Sequence, residues 1–145
     1  MLIKQISVFV ENAPGQLSEV TKVLGDNGID MSALSLADTS EFGILRLIVD
    51  KPEAAALALK EAGLTVSITN VIAVGIDDTP GAFSVPMRIL ADAGIDVEYM
   101  YAFISRDTKK AYVILRVADN DVATKVLLDK GVTLLDENGF YGMMK

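Results

Sequence analysis

The pattern of hydrophobic and polar positions at the start of the chain predicts a strand followed by a helix. Residues 3–10 are rich in β-forming apolar residues, and every second position from 6 to 10 is Ile or Val. Residues 17–24 then place apolar side chains three and four positions apart, which is the spacing of one helical face. Gly28 predicts the end of this helix, because glycine readily adopts the left-handed conformation that closes many helices.

The next forty residues continue with a regular alternation of elements. Residues 30–37 and 43–49 predict two strands joined by a polar turn. Pro52 is suited to the first turn of a second helix, which we expect to end at Gly63, and residues 65–69 predict a short final strand. The order β-α-β-β-α-β is that of an α+β, ferredoxin-like unit with an antiparallel sheet.

The same pattern occurs twice in the chain, so we predict two domains, residues 1–69 and 70–145. At a separation of 66 residues the two copies share Pro14/Pro80, Gly15/Gly81, Ser18/Ser84, Leu24/Leu90, Asp26/Asp92, Gly28/Gly94, Ile29/Ile95 and Asp30/Asp96. Further along, Ile44-Leu45-Arg46 recurs as Ile114-Leu115-Arg116 at a separation of 70. The increase from 66 to 70 predicts four extra residues before that strand in the second copy.

Composition limits the classes of function. The chain has 145 residues, of which 51% are hydrophobic and 23% charged, as in a globular protein. The net charge of −7 argues against nucleic acid or anionic membranes as partners. Because no leader-like segment or long apolar run is present, we expect a cytoplasmic protein with no membrane partner.

The absence of two residue types makes catalysis an unfavoured interpretation. The sequence contains no Cys and no His, which removes thiol nucleophiles, the usual general base near neutral pH and the commonest metal ligand. It also lacks the glycine-rich motifs that bind nucleotide phosphates. We therefore expect no enzyme activity, no catalytic residues, no cofactor and no metal site.

Two short motifs carry a family resemblance. The sequence Asn-Ala-Pro-Gly-Gln-Leu at 12–17, followed after a helix by Gly-Ile-Asp at 28–30, resembles the ACT domain, a small-molecule-sensing module of amino-acid metabolism. The second copy has Asp-Thr-Pro-Gly-Ala-Phe at 78–83 and Gly-Ile-Asp at 94–96, a looser variant of the same motif. The tandem arrangement is also similar to that of small stand-alone ACT proteins. The resemblance implies sheets that pair edge to edge, with the partner domain supplied within the chain, and ligands bound between domains.

The first motif has a physical rationale as an amino-acid site. Pro14-Gly15 precedes a helix, so the N–H groups of Gly15, Gln16 and Leu17 are expected to point outward and bind a carboxylate. Asn12 precedes the turn, and Asp30 has a carboxylate that can pair with the ligand's ammonium group. The resemblance implies the same contacts at a domain interface, although Asp30 departs from the Asn that the family often has there.

Simpler roles for the same residues remain open. Gly15 and Gly81 suit tight turns, Asn12 and Asp78 suit helix capping, and Asp30 and Asp96 suit turns after Gly-Ile. The predicted second pseudo-site comprises Asp78, Gly81, Ala82, Phe83 and Asp96. There two carboxylates, taken to be close, would repel each other, so we favour the first copy as the amino-acid site.

The aromatic residues also distinguish the two copies. Seven of the nine aromatics lie in the second copy, and Tyr99, Tyr101 and Phe103 are predicted to share one strand face. The first copy has small residues at the aligned positions, namely Ala33, Ser35 and Ala37. The rings either pack in a core or subunit interface, or cover a ligand that the other unit holds.

The sequence therefore predicts a non-enzymatic regulatory protein that binds a free L-amino acid and forms a homodimer or larger homo-oligomer. Its regulatory target would be a separate enzyme of amino-acid metabolism. The alternative is a regulatory subunit that acts by protein contact alone, similar to the small subunit of acetolactate synthase. Ligand titration distinguishes the two.

Overall fold

A computed structural model describes residues 2–38, 41–103 and 110–144 of the chain, with side chains through Phe140. The chain divides into two compact units. The first unit is Lys4–Thr69, and the second is Asn70–Lys145 together with Met1–Ile3.

The first unit contains the predicted elements in the predicted order. They are β1 (Ile3–Glu11), α1 (Gln16–Asp26), β2 (Met31–Asp38), β3 (Phe42–Val49), α2 (Pro52–Glu61) and the start of β4 (Thr65–Asp77). Strand β3 pairs antiparallel with both β1 and β2. Helices cover the face formed by alternate residues of these strands, as expected of a ferredoxin-like unit.

The core of the first unit follows the hydrophobic pattern. Strand β1 contributes alternate side chains and α1 contributes Val20 and Leu24, all at most 3% exposed. Helix α1 ends as the sequence predicts: Gly28 has φ +66°, and the Ile29 N–H donates to the Leu24 carbonyl at 3.0 Å. The buried cluster is Ile6, Val8, Val10, Val20, Leu24, Ile29, Leu45, Leu47, Val49, Ala55 and Leu59.

The second unit repeats the pattern and adds a helix. After β4 it contains α3 (Ser84–Asp92), β5 (Val97–Phe103), β6 (Lys110–Val117), α4 (Asn120–Asp129), β7 (Thr133–Leu135) and α5 (Glu137–Met144). Strands β5 and β6 pair antiparallel, as do β6 and β4, and β4 and β7. Two predictions were wrong in detail, because β4 is one strand that runs beyond 65–69, and α5 was not expected.

Helix α5 packs against part of the aromatic face. Phe140 is fully buried, and its ring centroid lies 4.7 Å from that of Phe103. Phe103 also stacks on Tyr112 at 5.1 Å. Tyr99 and Tyr101 lie at the preceding alternate positions of β5 and are half-buried, so the shared strand face is confirmed. Core packing is therefore the role of Phe103.

The strand pairing corrects the predicted alignment of the two copies. Ile6 lies opposite Leu47, and its repeat partner Ile72 lies opposite Leu115, so Leu47 and Leu115 are equivalent at a separation of 68. The Ile-Leu-Arg match at a separation of 70 is therefore a coincidence of composition. The second copy has two extra residues before β6, and Gly63 and Gly131, also 68 apart, fit this alignment.

The fold class is confirmed as α+β with antiparallel strands in ferredoxin-like units. Among the described residues, no helix has both the length and the apolar character needed to cross a membrane.

Candidate functional site

The loop between β1 and α1 is a tight turn built on Gly15. Gly15 has φ +91° and ψ −11°, a left-handed conformation that side chains disfavour, and it occupies the N-cap of α1. A Cβ added at Gly15 would meet no other atom within 4 Å. The glycine is therefore required by backbone conformation, while the space in front of the turn is open.

The predicted amide donors differ in their availability. The Gln16 N–H donates to the Ala13 carbonyl in a long bond of 3.4 Å, so it is partly engaged within the turn. Leu17 is the second residue of α1, and its N–H has no acceptor inside the helix by geometry. The Gly15 carbonyl accepts from the Glu19 N–H at 3.0 Å, which holds the turn against the helix.

Asn12 bonds to the neighbouring hairpin and does not cap α1. Its Nδ2 donates to Asp38 Oδ1 at 2.8 Å, and its backbone N–H donates to the Glu41 carbonyl at 3.3 Å. No side chain caps the helix N-terminus. The capping alternative for Asn12 was therefore wrong, and Asn12 instead joins the turn to the end of β2.

A cleft of about 480 Å³ opens beside this turn. Gln16 and Glu19 of α1 form one side, and Glu11 at the end of β1 forms another. None of the described residues that line it is Lys or Arg, so its charged lining is acidic. The full lining is Phe9, Val10, Glu11, Gln16, Glu19, Phe42, Ala62, Gly63, Leu64 and Thr65.

Asp30 lies far from this cleft within the same unit. Glu11, beside the turn, is opposite Phe42 at one end of β3, whereas Met31 is opposite Val49 at the other end. The seven intervening steps of β3 span about 23 Å. One unit therefore does not bring Asp30 to the turn that carries Asn12 and Gly15.

The Asp30 backbone is held at the far end of the sheet. Its N–H donates to Asp50 Oδ1 at 3.0 Å, and its carbonyl accepts from the Asp50 N–H at 3.1 Å. The residue itself is exposed. These bonds fix the start of β2 and leave the side chain on the surface.

The second unit has an equivalent turn with different chemistry around it. Gly81 has φ +84°, and the cleft in front of it measures about 510 Å³. Gly81 and Ala82 line this cleft, whereas Phe83 is half-buried at the N-cap of α3. Lys110 Nζ lies 2.6 Å from Asp77 Oδ1 at the cleft wall.

Asp78 and Asp96 do not form a carboxylate pair within the second unit. Asp78 follows the end of β4 that pairs with Lys110, whereas Asp96 precedes Val97, which pairs with Val117. They lie at opposite ends of β6, so the predicted repulsion between close carboxylates was wrong for a single unit.

Sequence reasoning missed the charged residues that line the two clefts. Glu11 and Glu19 line the first, and Lys110 and Lys130 line the second. Glu11 directly precedes the Asn12 motif and Glu19 lies in the first turn of α1. Their positions in the sequence could therefore have predicted that both lie near the site. Lys110 begins β6, the strand that was misaligned with the first copy, and Lys130 precedes Gly131.

Comparison with known proteins identifies the family. A family model described as the ACT domain pair matches residues 1–144. The chain therefore belongs to the ACT domain family, as a pair of ACT domains, and the resemblance seen in the motifs is confirmed. No curated protein matches the chain.

Solved structures agree with this fold. A crystal structure of a protein from Bacteroides thetaiotaomicron is 40% identical, with a TM-score of 0.91, and covers 97% of this chain and 96% of its own. The ligand-free regulatory subunit of aspartate kinase from Thermus thermophilus has a TM-score of 0.64 at 18% identity, covering 88% and 93%. The corresponding Thermus flavus subunit has a TM-score of 0.60 at 17% identity, covering 87% and 90%. The last two support the fold alone.

Proposed function

We propose that this ACT domain pair is a non-catalytic regulatory protein that binds a free L-amino acid at the turn around Gly15. The observation that carries the proposal is the open space in front of a left-handed glycine, at the N-terminus of α1 and beside a cleft of about 480 Å³. The volume accommodates a small ligand at a surface site.

The ligand carboxylate binds the backbone at the start of α1. The N–H groups of Gly15 and Leu17 and the positive end of the helix dipole attract an anion without any basic side chain. Gln16 contributes by exchanging its long bond to Ala13 for a bond to the ligand. Pro14 fixes the backbone before the glycine.

The ligand ammonium group binds Asp30 of a second copy of the chain. Asp30 is about 23 Å from the turn in its own unit, so it reaches a site there only from another molecule. Strand β2 pairs with β3 on one side, and among the described residues no strand pairs with its other side. Antiparallel pairing of β2 with β2 of a second copy brings Asp30 to the end that holds Asn12 and Asp38.

The exposed side chains of β2 support such a homodimer. Leu34 and Leu36 are 59% and 47% exposed, and residues 31–37 carry no charge, although charges usually protect a free edge strand. A register with Leu34 opposite Leu36 of the second copy pairs these apolar side chains. It also avoids the repulsion that would arise with Asp30 directly opposite Asp38.

Binding at this site would be coupled to assembly. An amino acid held by residues of two copies stabilises the dimer relative to the monomer, since it binds the assembled state preferentially. The dimer would then report amino-acid concentration to a separate enzyme of amino-acid metabolism.

A thermal-shift screen of the twenty amino acids tests the proposal. At about a hundred times its dissociation constant, a ligand adds about 2.7 kcal/mol to the free energy of unfolding. For a chain of this size the melting temperature rises on the order of 5–10 °C. Asp30→Ala is expected to abolish the shift and leave the ligand-free melting temperature nearly unchanged. Asp96→Ala, the matched change in the second unit, is expected to preserve the shift.

A different pair of results would place the site elsewhere. If Glu19→Gln abolishes the shift and Asp30→Ala does not, the ammonium group binds within the acidic cleft of one unit. If Asp96→Ala alone abolishes it, the site lies in the second unit.

Regulation by protein contact alone is the second candidate. It is favoured by the hydrogen bond from Asn12 to Asp38, which gives Asn12 a structural role without any ligand. In that case no amino acid changes the melting temperature at saturation, and the protein co-purifies with a larger enzyme subunit.

A further inference from the structure

The two repeat-related clefts carry opposite charge. The first is lined by Glu11 and Glu19. The second is lined by Asp77, Lys110 and Lys130. Counted as formal charges, the first lining carries two negative charges and the second carries one net positive charge.

The inversion results from substitutions at aligned positions. In the corrected alignment Phe42 and Ala62 of the first cleft correspond to Lys110 and Lys130 of the second, at a separation of 68. Glu19 corresponds to Val85 at a separation of 66, so a negative charge is lost where two positive charges are gained.

The two lysines differ in how they are held. Lys110 Nζ lies 2.6 Å from Asp77 Oδ1, which positions its ammonium group at the cleft wall. Lys130 directly follows α4, and within the described part of the chain it forms no ion pair. Lys130 is therefore the uncompensated positive charge of the cleft.

Part of the backbone of the second turn is engaged within the turn itself. The N–H groups of Ala82, Ser84 and Val85 donate to carbonyls of the same turn at 3.2, 3.1 and 3.3 Å. The formal positive charges of this cleft belong to the side chains of Lys110 and Lys130.

We propose that the cleft of the second unit binds a small anionic molecule, carrying carboxylate or phosphate groups, through Lys130 and Lys110. The cleft volume of about 510 Å³ admits a small metabolite. Lys130 supplies the unpaired charge, and Lys110 adds a second donor while Asp77 holds it in place. This goes beyond the amino-acid site, which lies in the other unit and relies on backbone amides and Asp30.

The test is a titration with succinate and with inorganic phosphate at constant ionic strength, read by melting temperature. Wild-type protein is expected to show a saturable rise with at least one of these anions. Loss of a charge-assisted contact in Lys130→Gln raises the dissociation constant about tenfold or more. Lys110→Gln, which leaves Asp77 unpaired in the cleft, weakens binding as well.

Lys125→Gln is the matched control, because Lys125 is also an exposed lysine near the end of α4 and pairs with Asp129 outside the cleft. It should bind the anion as wild type does. If the melting temperature rises equally in all variants, or rises without saturating, the anions act as general salts and the proposal is overturned. It is also overturned if neither anion changes the melting temperature. Asp30→Ala should retain the anion response, so this proposal fails or stands independently of the amino-acid site.

Discussion

Replacement of Gly15 by Ala changes the backbone energy of the turn without introducing a steric clash. An alanine at φ +91° is strained by about 1–2 kcal/mol, because the left-handed region brings Cβ close to the following carbonyl oxygen. Part of this cost is offset, since alanine also restricts the unfolded chain. The added Cβ meets no atom within 4 Å, so no steric clash is added. We expect a net loss of about 1 kcal/mol in the free energy of unfolding.

We expect the substitution to abolish amino-acid binding although it lowers the stability of the fold only slightly. The strained turn relaxes by rotating the peptide groups that flank residue 15, which turns the N–H groups of residues 15 and 16 away from a common ligand. The melting temperature of Gly15→Ala should fall by about 2–8 °C, and its amino-acid shift should disappear. Calorimetry without ligand and at saturation measures both effects on one preparation.

Two glycines of the same chain provide matched controls. Gly94 has φ +71° and Gly81 has φ +84°, and a Cβ at either position also meets no atom within 4 Å. Gly94→Ala and Gly81→Ala should therefore lose comparable stability and keep the amino-acid shift. A full shift in Gly15→Ala, or its loss in Gly81→Ala, would refute the assignment of the carboxylate to this turn.

Three further predictions concern the fold and the assembly. Phe140→Ala removes a fully buried ring and should lower the free energy of unfolding by about 3–5 kcal/mol in urea denaturation. Leu128→Ala, at a 41% exposed position, should lower it by less than about 1 kcal/mol. Equal losses in the two variants would show that α5 does not pack in solution as described. Leu34→Lys should convert the proposed homodimer to a monomer in sedimentation with nearly unchanged monomer stability, and a dimer that persists would exclude β2 as the interface. The hydrogen bond from Lys4 lowers the pKa of Glu53, so this pair stabilises the fold above the ordinary carboxyl pKa, and the stabilisation is lost as the pH falls through the lowered value. Because both side chains are exposed, Glu53→Gln should lower the free energy of unfolding by at most about 0.5 kcal/mol at pH 7 and should not change it in acid. An equal loss of stability at both pH values would contradict this.

The elements of the fold were accessible to sequence analysis because each has a strong local signal. Gly28 ends α1 by its left-handed conformation, and Pro86 lies in the first turn of α3, where it interrupts no helical hydrogen bond. Helix α5 lacked such a signal, since Gly139 and Gly142 lower the helix propensity of its eight residues. It is held by tertiary packing of Phe140 instead.

The candidate site was harder to predict, because it depends on which ends of the strands meet. The motif residues Asn12 and Asp30 were identified together, but α1 runs between them and returns the chain to the opposite end of the sheet. The β-α-β order already implied this separation. The charge of the second cleft was missed because the repeat was aligned two residues out of register near Lys110.

The central claim, that two copies of the chain share an amino-acid site, is tested most directly by mixing two inactive variants. Gly15→Ala lacks a competent turn and Asp30→Ala lacks the ammonium partner, so neither homodimer should bind the amino acid. After unfolding and refolding together, about half of the dimers are mixed by random assortment, and each contains one intact site. Isothermal titration should then recover about a quarter of the wild-type number of sites, with wild-type affinity. If the refolded mixture binds no more amino acid than the separate variants while wild-type protein treated in the same way binds fully, the site is not shared between copies.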